Sequence, residues 1–128
     1  MWGCFLEGKC YHAEESRILC KNREFHNYLT RVKKEYQIAN QVKRSGTSIG
    51  ANIAEAQRAQ STADFVAKMK IALKEANETQ YWLRLLWETN YITEREFSSV
   101  HEDLLELLKI LTAICKHYPQ SNQLPVGK

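Results

Sequence analysis

The chain has 128 residues, 44% hydrophobic and 26% charged, with a formal net charge of +3: the size of one domain and the balance of a globular protein. Five glycines and two prolines, both prolines near the C-terminal end, leave most of it free to be helical. No apolar run approaches the roughly 20 residues of a membrane span, and Met1–Cys10 has neither the basic start nor the long apolar run of a secretory signal, so a bacterial cytoplasmic location is expected.

Residues 1–12 lack periodicity and read as a flexible N-terminal extension. A first helix is predicted over 13–30, with a ragged stripe of Ile18, Phe25, Tyr28 or Leu29, and Val32. Lys33 and Lys34 mark the connection to a second helix over 35–57, with Tyr36, Ile38, Ala39, Val42, Ile49 and Ile53 inward. Inside it stand Gly46 and Gly50, each costing roughly 1 kcal/mol against alanine in a helix interior. Four residues apart, they share a face and leave a groove, which is expected to admit bulk such as Trp82 or Met69. Asn52 shares the inward stripe with Ile49 and Ala56, so it needs a partner: Tyr81, Gln80 or a carbonyl on a neighbouring helix. Glu55 is expected in an ion pair, with Arg44, Arg58 or Lys74 available.

Ser61, with Asp64 three positions on, opens a third helix in the manner of a capping box. Phe65, Met69, Ala72, Ala76, Thr79, Leu83, Leu86 and Asn90 then alternate spacings of four and three, the seam of a left-handed bundle. Leu73, Gln80 and Trp87 widen it, and Asn90 ends it. Thr93 with Glu96 repeats the capping signature, and Phe97, Val100, Leu104, Leu107, Leu111, Ile114 and Tyr118 carry a fourth helix to Pro119. Residues 119–128 read as a disordered tail. Four helices with short links predict an all-α, up-down-up-down antiparallel four-helix bundle over residues 13–118.

Charge is unevenly spread: residues 1–60 hold ten Lys/Arg against six Asp/Glu, and residues 61–128 hold eight against nine. The basic set of the first two helices, Arg31, Lys33, Lys34, Lys43 and Arg44 with Arg58 beyond, is therefore the candidate surface for RNA or DNA phosphates; a plain solvated face is the alternative. Tyr81, Trp82 and Leu85 lie off the seam of the third helix and are candidates for a subunit interface, unless the first helix covers them. Cys4, Cys10, Cys20 and Cys115 are expected as thiols, and Cys4, Cys10, His12 and Cys20 match no common zinc-ligand spacing. No metal or other cofactor is expected. Among His12, His26, His101 and His117 there is no Glu-x-x-His pair of a bundle di-iron site. Arg95 and His101 resemble the Arg-x(4–6)-His signature of the HEPN helical ribonucleases, an enzymatic alternative resting on a loose spacing.

Several phrases occur together in order: Arg44-Ser45-Gly46-Thr47-Ser48-Ile49-Gly50-Ala51-Asn52-Ile53-Ala54-Glu55-Ala56; Ser61, Asp64, Phe65 and Lys68; Ile71 through Leu83; and Tyr91-Ile92-Thr93. Over residues 25–116 the chain thereby resembles the 23S ribosomal-RNA intervening-sequence family. The resemblance implies a four-helix bundle forming a homo-oligomer, often a homopentamer. Some members of that family are encoded inside intervening sequences of large-subunit ribosomal RNA genes. A related group is the accessory protein of diversity-generating retroelements, binding reverse transcriptase and nucleic acid. The resemblance supplies no catalytic residues. The expectation is a non-enzymatic oligomeric scaffold or adaptor that binds nucleic acid and, if retroelement-associated, a reverse transcriptase; the alternative is a protein-interaction module without nucleic acid.

Overall fold

The helices follow the apolar spacing closely. They are α1 (Cys10–Tyr28), α2 (Gln37–Gln57), α3 (Thr62–Glu88) and α4 (Glu94–His117). The computed structural model describes residues 10–33 and 35–118, with side chains at 17–31 and 35–118. No strand occurs among the described residues. The two expected tails lie outside them, apart from Cys10–His12, which form the first turn of α1.

Local chemistry sets the ends. α1 passes into a wide π-helical turn, Leu29–Lys33, closed where the Glu35 N–H donates to the Leu29 carbonyl at 3.0 Å. Tyr36 precedes α2 without a capping side chain; the Glu35 carboxylate takes that role, accepting from the Ile38 N–H at 2.9 Å. Tyr36, expected inward, is therefore left 55% exposed at the corner. Ser61 Oγ accepts from the Asp64 N–H at 3.1 Å, and Asp64 reaches back to the Gln60 N–H at 3.3 Å. At the other end of α3, Asn90 takes φ +66°. There the Tyr91 N–H donates to the Leu86 carbonyl and the Asn90 N–H to the Trp87 carbonyl, the Schellman arrangement that asparagine tolerates best after glycine. Thr93 and Glu96 form a complete capping box on α4.

Side-chain pairs between neighbours fix the topology. Asn22 meets Lys43 and His26 meets Asn40 between α1 and α2. Ser45 meets Thr79 and Glu55 meets Lys68 between α2 and α3. Gln80 meets His101 and Trp87 meets Phe97 between α3 and α4. Lys21 meets Asp103, and Tyr28 donates to Glu96, between α1 and α4. In each pairing one number rises as the other falls, so each adjacent pair is antiparallel and the bundle runs up-down-up-down.

The core holds Ile18, Phe25 and Leu29 from α1 and its turn, Val42, Ile49 and Ile53 from α2, Met69, Leu83 and Leu86 from α3, and Phe97, Leu104, Leu107 and Leu111 from α4. The α3 seam is buried at every expected position from Met69 to Leu86, while Phe65 packs on its edge. The ragged stripe of α1 has a cause: between Ile18 and Phe25 the inward position belongs to Asn22, 4% exposed.

Candidate nucleic-acid interface

The six basic residues singled out from sequence do not form one patch. Arg31 is exposed on the turn after α1, Lys43 lies exposed on α2, and Arg58 is exposed at the C-cap of α2. Arg31 and Arg58 thus sit near opposite ends of a 21-residue helix, about 30 Å apart at 1.5 Å per residue. The Lys33 and Lys34 side chains lie outside the described residues. Arg44 is committed to folding: its guanidinium pairs with Glu78 and, at 3.5 Å, with Glu75, both on α3. Two further cations of the basic half, Arg17 and Lys21, face Asp103 of α4 at 3.7 and 2.6 Å.

Among the described residues, Arg31, Lys43 and Arg58 make no ion pair. Lys43 is joined by Arg23, since the antiparallel register sets residue 23 of α1 opposite residue 43 of α2. Together with Leu19, Cys20, Asn22, Glu24, Asn27 and Thr47 they line a groove of about 590 Å³ between the two helices. Sequence reading passed over Arg23 as one charge in a tally; the signal lay in the register, which no single helix reveals.

The packing motif divides between two walls. Gly46 and Gly50 are both buried, but the bulk against Gly46 comes from α1. A Cβ there would stand 2.7 Å from Asn22 Cγ and Nδ2, so the expected insertion of Trp82 or Met69 gives way to Asn22. The register explains this, because α3 meets α2 along the side of Ser45, where Thr79 Oγ1 donates to Ser45 Oγ at 2.8 Å and Ser45 Oγ donates to the Gln41 carbonyl at 3.0 Å. Asn52 is only half-buried, and its Nδ2 donates to the Ser48 carbonyl of its own helix at 2.8 Å rather than to a neighbour. It sits about 100° around the helix from Ile53, off the inward face. Glu55 does form an ion pair, with Lys68 at 2.7 Å and not with Arg44, Arg58 or Lys74.

Of the interface candidates, Tyr81 is 60% exposed and Leu85 half-buried. Trp82 is half-buried, packs on the core, meets Tyr81 edge-on at 5.0 Å and donates its indole N–H to Glu78 at 3.1 Å. Ile71, 40% exposed, joins Tyr81 among the apolar residues that α3 shows to solvent.

Arg95 and His101 serve different surfaces. Arg95 is exposed and lines a shallow depression with Lys21, Phe25 and Tyr28 of α1. His101 faces α3: its Nε2 lies 3.0 Å from Gln80 Nε2, and its ring stacks on Phe97, which stacks on Trp87. Accepting the Gln80 amide proton requires a neutral imidazole with its proton on Nδ1. Burial, reinforced by Arg84, holds its pKa below the ordinary 6.5, in keeping with that state. Six residues along a helix turn about 240°, so one protomer does not bring the two together. Cys20 and Cys115 are free thiols, and burial pushes the Cys115 thiol up. Among the described residues no cluster of three potential metal ligands occurs, and no helix is long and apolar enough to cross a membrane.

The family described as 23S rRNA-intervening sequence protein matches residues 14–113. The chain belongs to that family. A solved structure of a protein of unknown function from the S23 ribosomal protein family of Bacteroides thetaiotaomicron is similar at 46% identity and a TM-score of 0.80. The match covers 81% of this chain and 96% of that one. No curated protein matches. The family match begins eleven residues before residue 25, where the span read as resembling the family begins, and takes in most of α1.

Proposed function

We propose that this member of the 23S rRNA-intervening sequence protein family is a non-enzymatic, homo-oligomeric scaffold that holds RNA or DNA by its phosphate backbone. The observation that carries the reading is the division of the cations. Arg17, Lys21 and Arg44 are neutralised by Asp103, Glu75 and Glu78, whereas Arg31, Lys43 and Arg58 stand exposed without an ion-pair partner among the described residues. Three separated cations on one protomer bind phosphate weakly. Copies of the chain assembled around a common axis would repeat them and gain by multivalency. The outer face of α3, with Tyr81, Ile71 and Leu85, supplies the apolar area such assembly needs.

Fluorescence anisotropy with a labelled 30-nucleotide RNA at increasing salt tests the proposal. Affinity should fall steeply with salt, and Arg31→Glu, Lys43→Glu and Arg58→Glu together should abolish binding while native mass spectrometry still records the oligomer. Absent or salt-independent binding sinks the nucleic-acid reading, and a clean monomer sinks the scaffold.

A further inference from the structure

We infer that α1 is a latch helix: it leaves the α2–α3–α4 core as one unit while those three helices stay folded, and the buried Asn22 amide sets how readily it opens. The inference goes beyond the binding proposal and does not depend on it. Asn22 stands in the inward stripe of α1, 4% exposed, and its Oδ1, shut in against Gly46, has no hydrogen-bond partner. An acceptor buried in that way loses its bond to water and gains none. Undocking α1 restores the water, so the penalty falls on the closed state alone. The bond from Asn22 Nδ2 to the Lys43 carbonyl, at 3.3 Å, adds little, because Thr47 Oγ1 already donates to that carbonyl at 2.7 Å.

The rest of α1 is attached in ways that water replaces readily. Lys21 meets Ser99 and His26 meets Asn40 at exposed positions. Among the described residues the buried apolar side chains of α1 are Ile18 and Phe25, with Tyr28 packed at the edge of the core. Residues 10–17 hold no Leu, Ile, Val, Phe or Met. The π-helical turn supplies the pivot, with Leu29 fully buried in the core. On either side of it the two helices are finished separately. Thr30 Oγ1 donates back to the carbonyls of His26 and Asn27, and the Glu35 carboxylate caps α2 at the Ile38 N–H. Opening therefore leaves the start of α2 intact. The links Ser45–Thr79, Glu55–Lys68, Gln80–His101 and Trp87–Phe97 hold the other three helices together without α1. Opening also parts Arg23 from Lys43, so the groove they line exists only while α1 is closed.

Native-state hydrogen exchange of the full chain, followed by NMR at rising guanidinium concentrations below the unfolding transition, tests this. The amides of Ile18 to Tyr28 should exchange through one shared opening with one denaturant slope, about a hundredfold or more faster than those of Met69 to Leu83. Ala67→Gly, at an exposed position of α3, should speed the α3 amides by roughly fivefold and leave the α1 amides as they were. Asn22→Leu, which keeps the branching at Cγ and removes the stranded acceptor, should slow the α1 amides by roughly fivefold or more. If that variant does not fold, the wild-type chain and Ala67→Gly decide. Equal rates and slopes in α1 and α3, or α1 amides that follow α3 in Ala67→Gly, overturn the latch in favour of a single cooperative bundle. Rates in α1 that fall steadily from Ile18 to Tyr28 without a shared slope overturn it in favour of fraying from the N-terminal end. No slowing in a folded Asn22→Leu chain overturns the role given to Asn22.

Discussion

The Asn22 side chain of α1 lies against the backbone of Gly46 in α2, so close that a β-carbon on residue 46 would come within 2.7 Å of its amide. That contact replaces the usual meeting of two apolar side chains with an amide laid on a helix backbone. It accounts for a glycine in mid-helix and for a polar residue in the inward stripe of α1.

Gly46→Ala should therefore destabilise the chain, despite alanine's advantage of roughly 1 kcal/mol in a helix interior. The amide is buried and tied to the Lys43 carbonyl, so it yields poorly. A net loss of about 1–2 kcal/mol by chemical denaturation is expected, within the usual cost of overpacking. In an Asn22→Ala background the sign should reverse, and the same Gly46→Ala change should stabilise by up to about 1 kcal/mol. A loss of equal size in both backgrounds would assign the glycine to some other constraint.

Ser45 and Thr79 make the buried polar link between α2 and α3, with Thr79 on the seam that its spacing marked. Thr79→Val should cost no more than about 1 kcal/mol. The Ser45 hydroxyl keeps the Gln41 carbonyl as acceptor, so the change strands no donor. A loss above about 2 kcal/mol in thermal or chemical unfolding would mean that the two hydroxyls act as a cooperative unit.

The fold was legible because each helix writes its own periodicity and caps: the α3 seam, Ser61 with Asp64, Thr93 with Glu96 and the stop after Tyr118 are all local. What a single helix does not write is which neighbour its face meets. Gly46 was placed against α3 and belongs with α1; Asn52 was paired across helices and bonds within its own; Arg44 was offered to phosphate and is held by Glu75 and Glu78. Tyr36 turned outward because Glu35, not Tyr36, closes the start of α2. Arg23 drew no notice for the same reason, since its pairing with Lys43 in one groove depends on the register of two helices.

Arg44 gives a test of that division of labour. Trp82, through its indole N–H, and then Arg44 hold the Glu78 carboxyl below its ordinary value of 4.5 against the opposing effect of burial. Arg44→Ala should lower stability by no more than about 1 kcal/mol, because the guanidinium side chain is half exposed and screened. It should change RNA affinity less than Lys43→Ala does. Arg44→Glu would set a third carboxylate beside Glu75 and Glu78 and should destabilise more than the alanine. If Arg44→Ala cuts RNA binding while leaving unfolding unchanged, Arg44 belongs with Arg31, Lys43 and Arg58 after all.

His101 sets a pH dependence whose direction follows from its burial. Its folded pKa lies below 6.5, with desolvation the main cause and Arg84 of α3 acting the same way. Below pH 6.5 the unfolded chain therefore binds more protons at this residue than the folded one. Its contribution to stability is complete above about pH 6.5 and is lost as pH falls from there through the folded value. Glu78 acts lower down, its contribution fading as pH falls through 4.5 and below. Protonation also turns the His101 Nε2 from an acceptor for Gln80 into a donor, setting donor against donor unless the Gln80 amide flips. Guanidinium denaturation at pH 7.5 and 5.5 should show the wild-type chain losing stability, and a His101→Phe variant, which keeps a ring against Phe97, losing less. The His101 imidazole resonance should titrate with a midpoint below 6.5. Equal losses in the two chains, or a midpoint above 6.5, would mean that water reaches the ring and that the stack with Phe97 and Trp87 is open in solution.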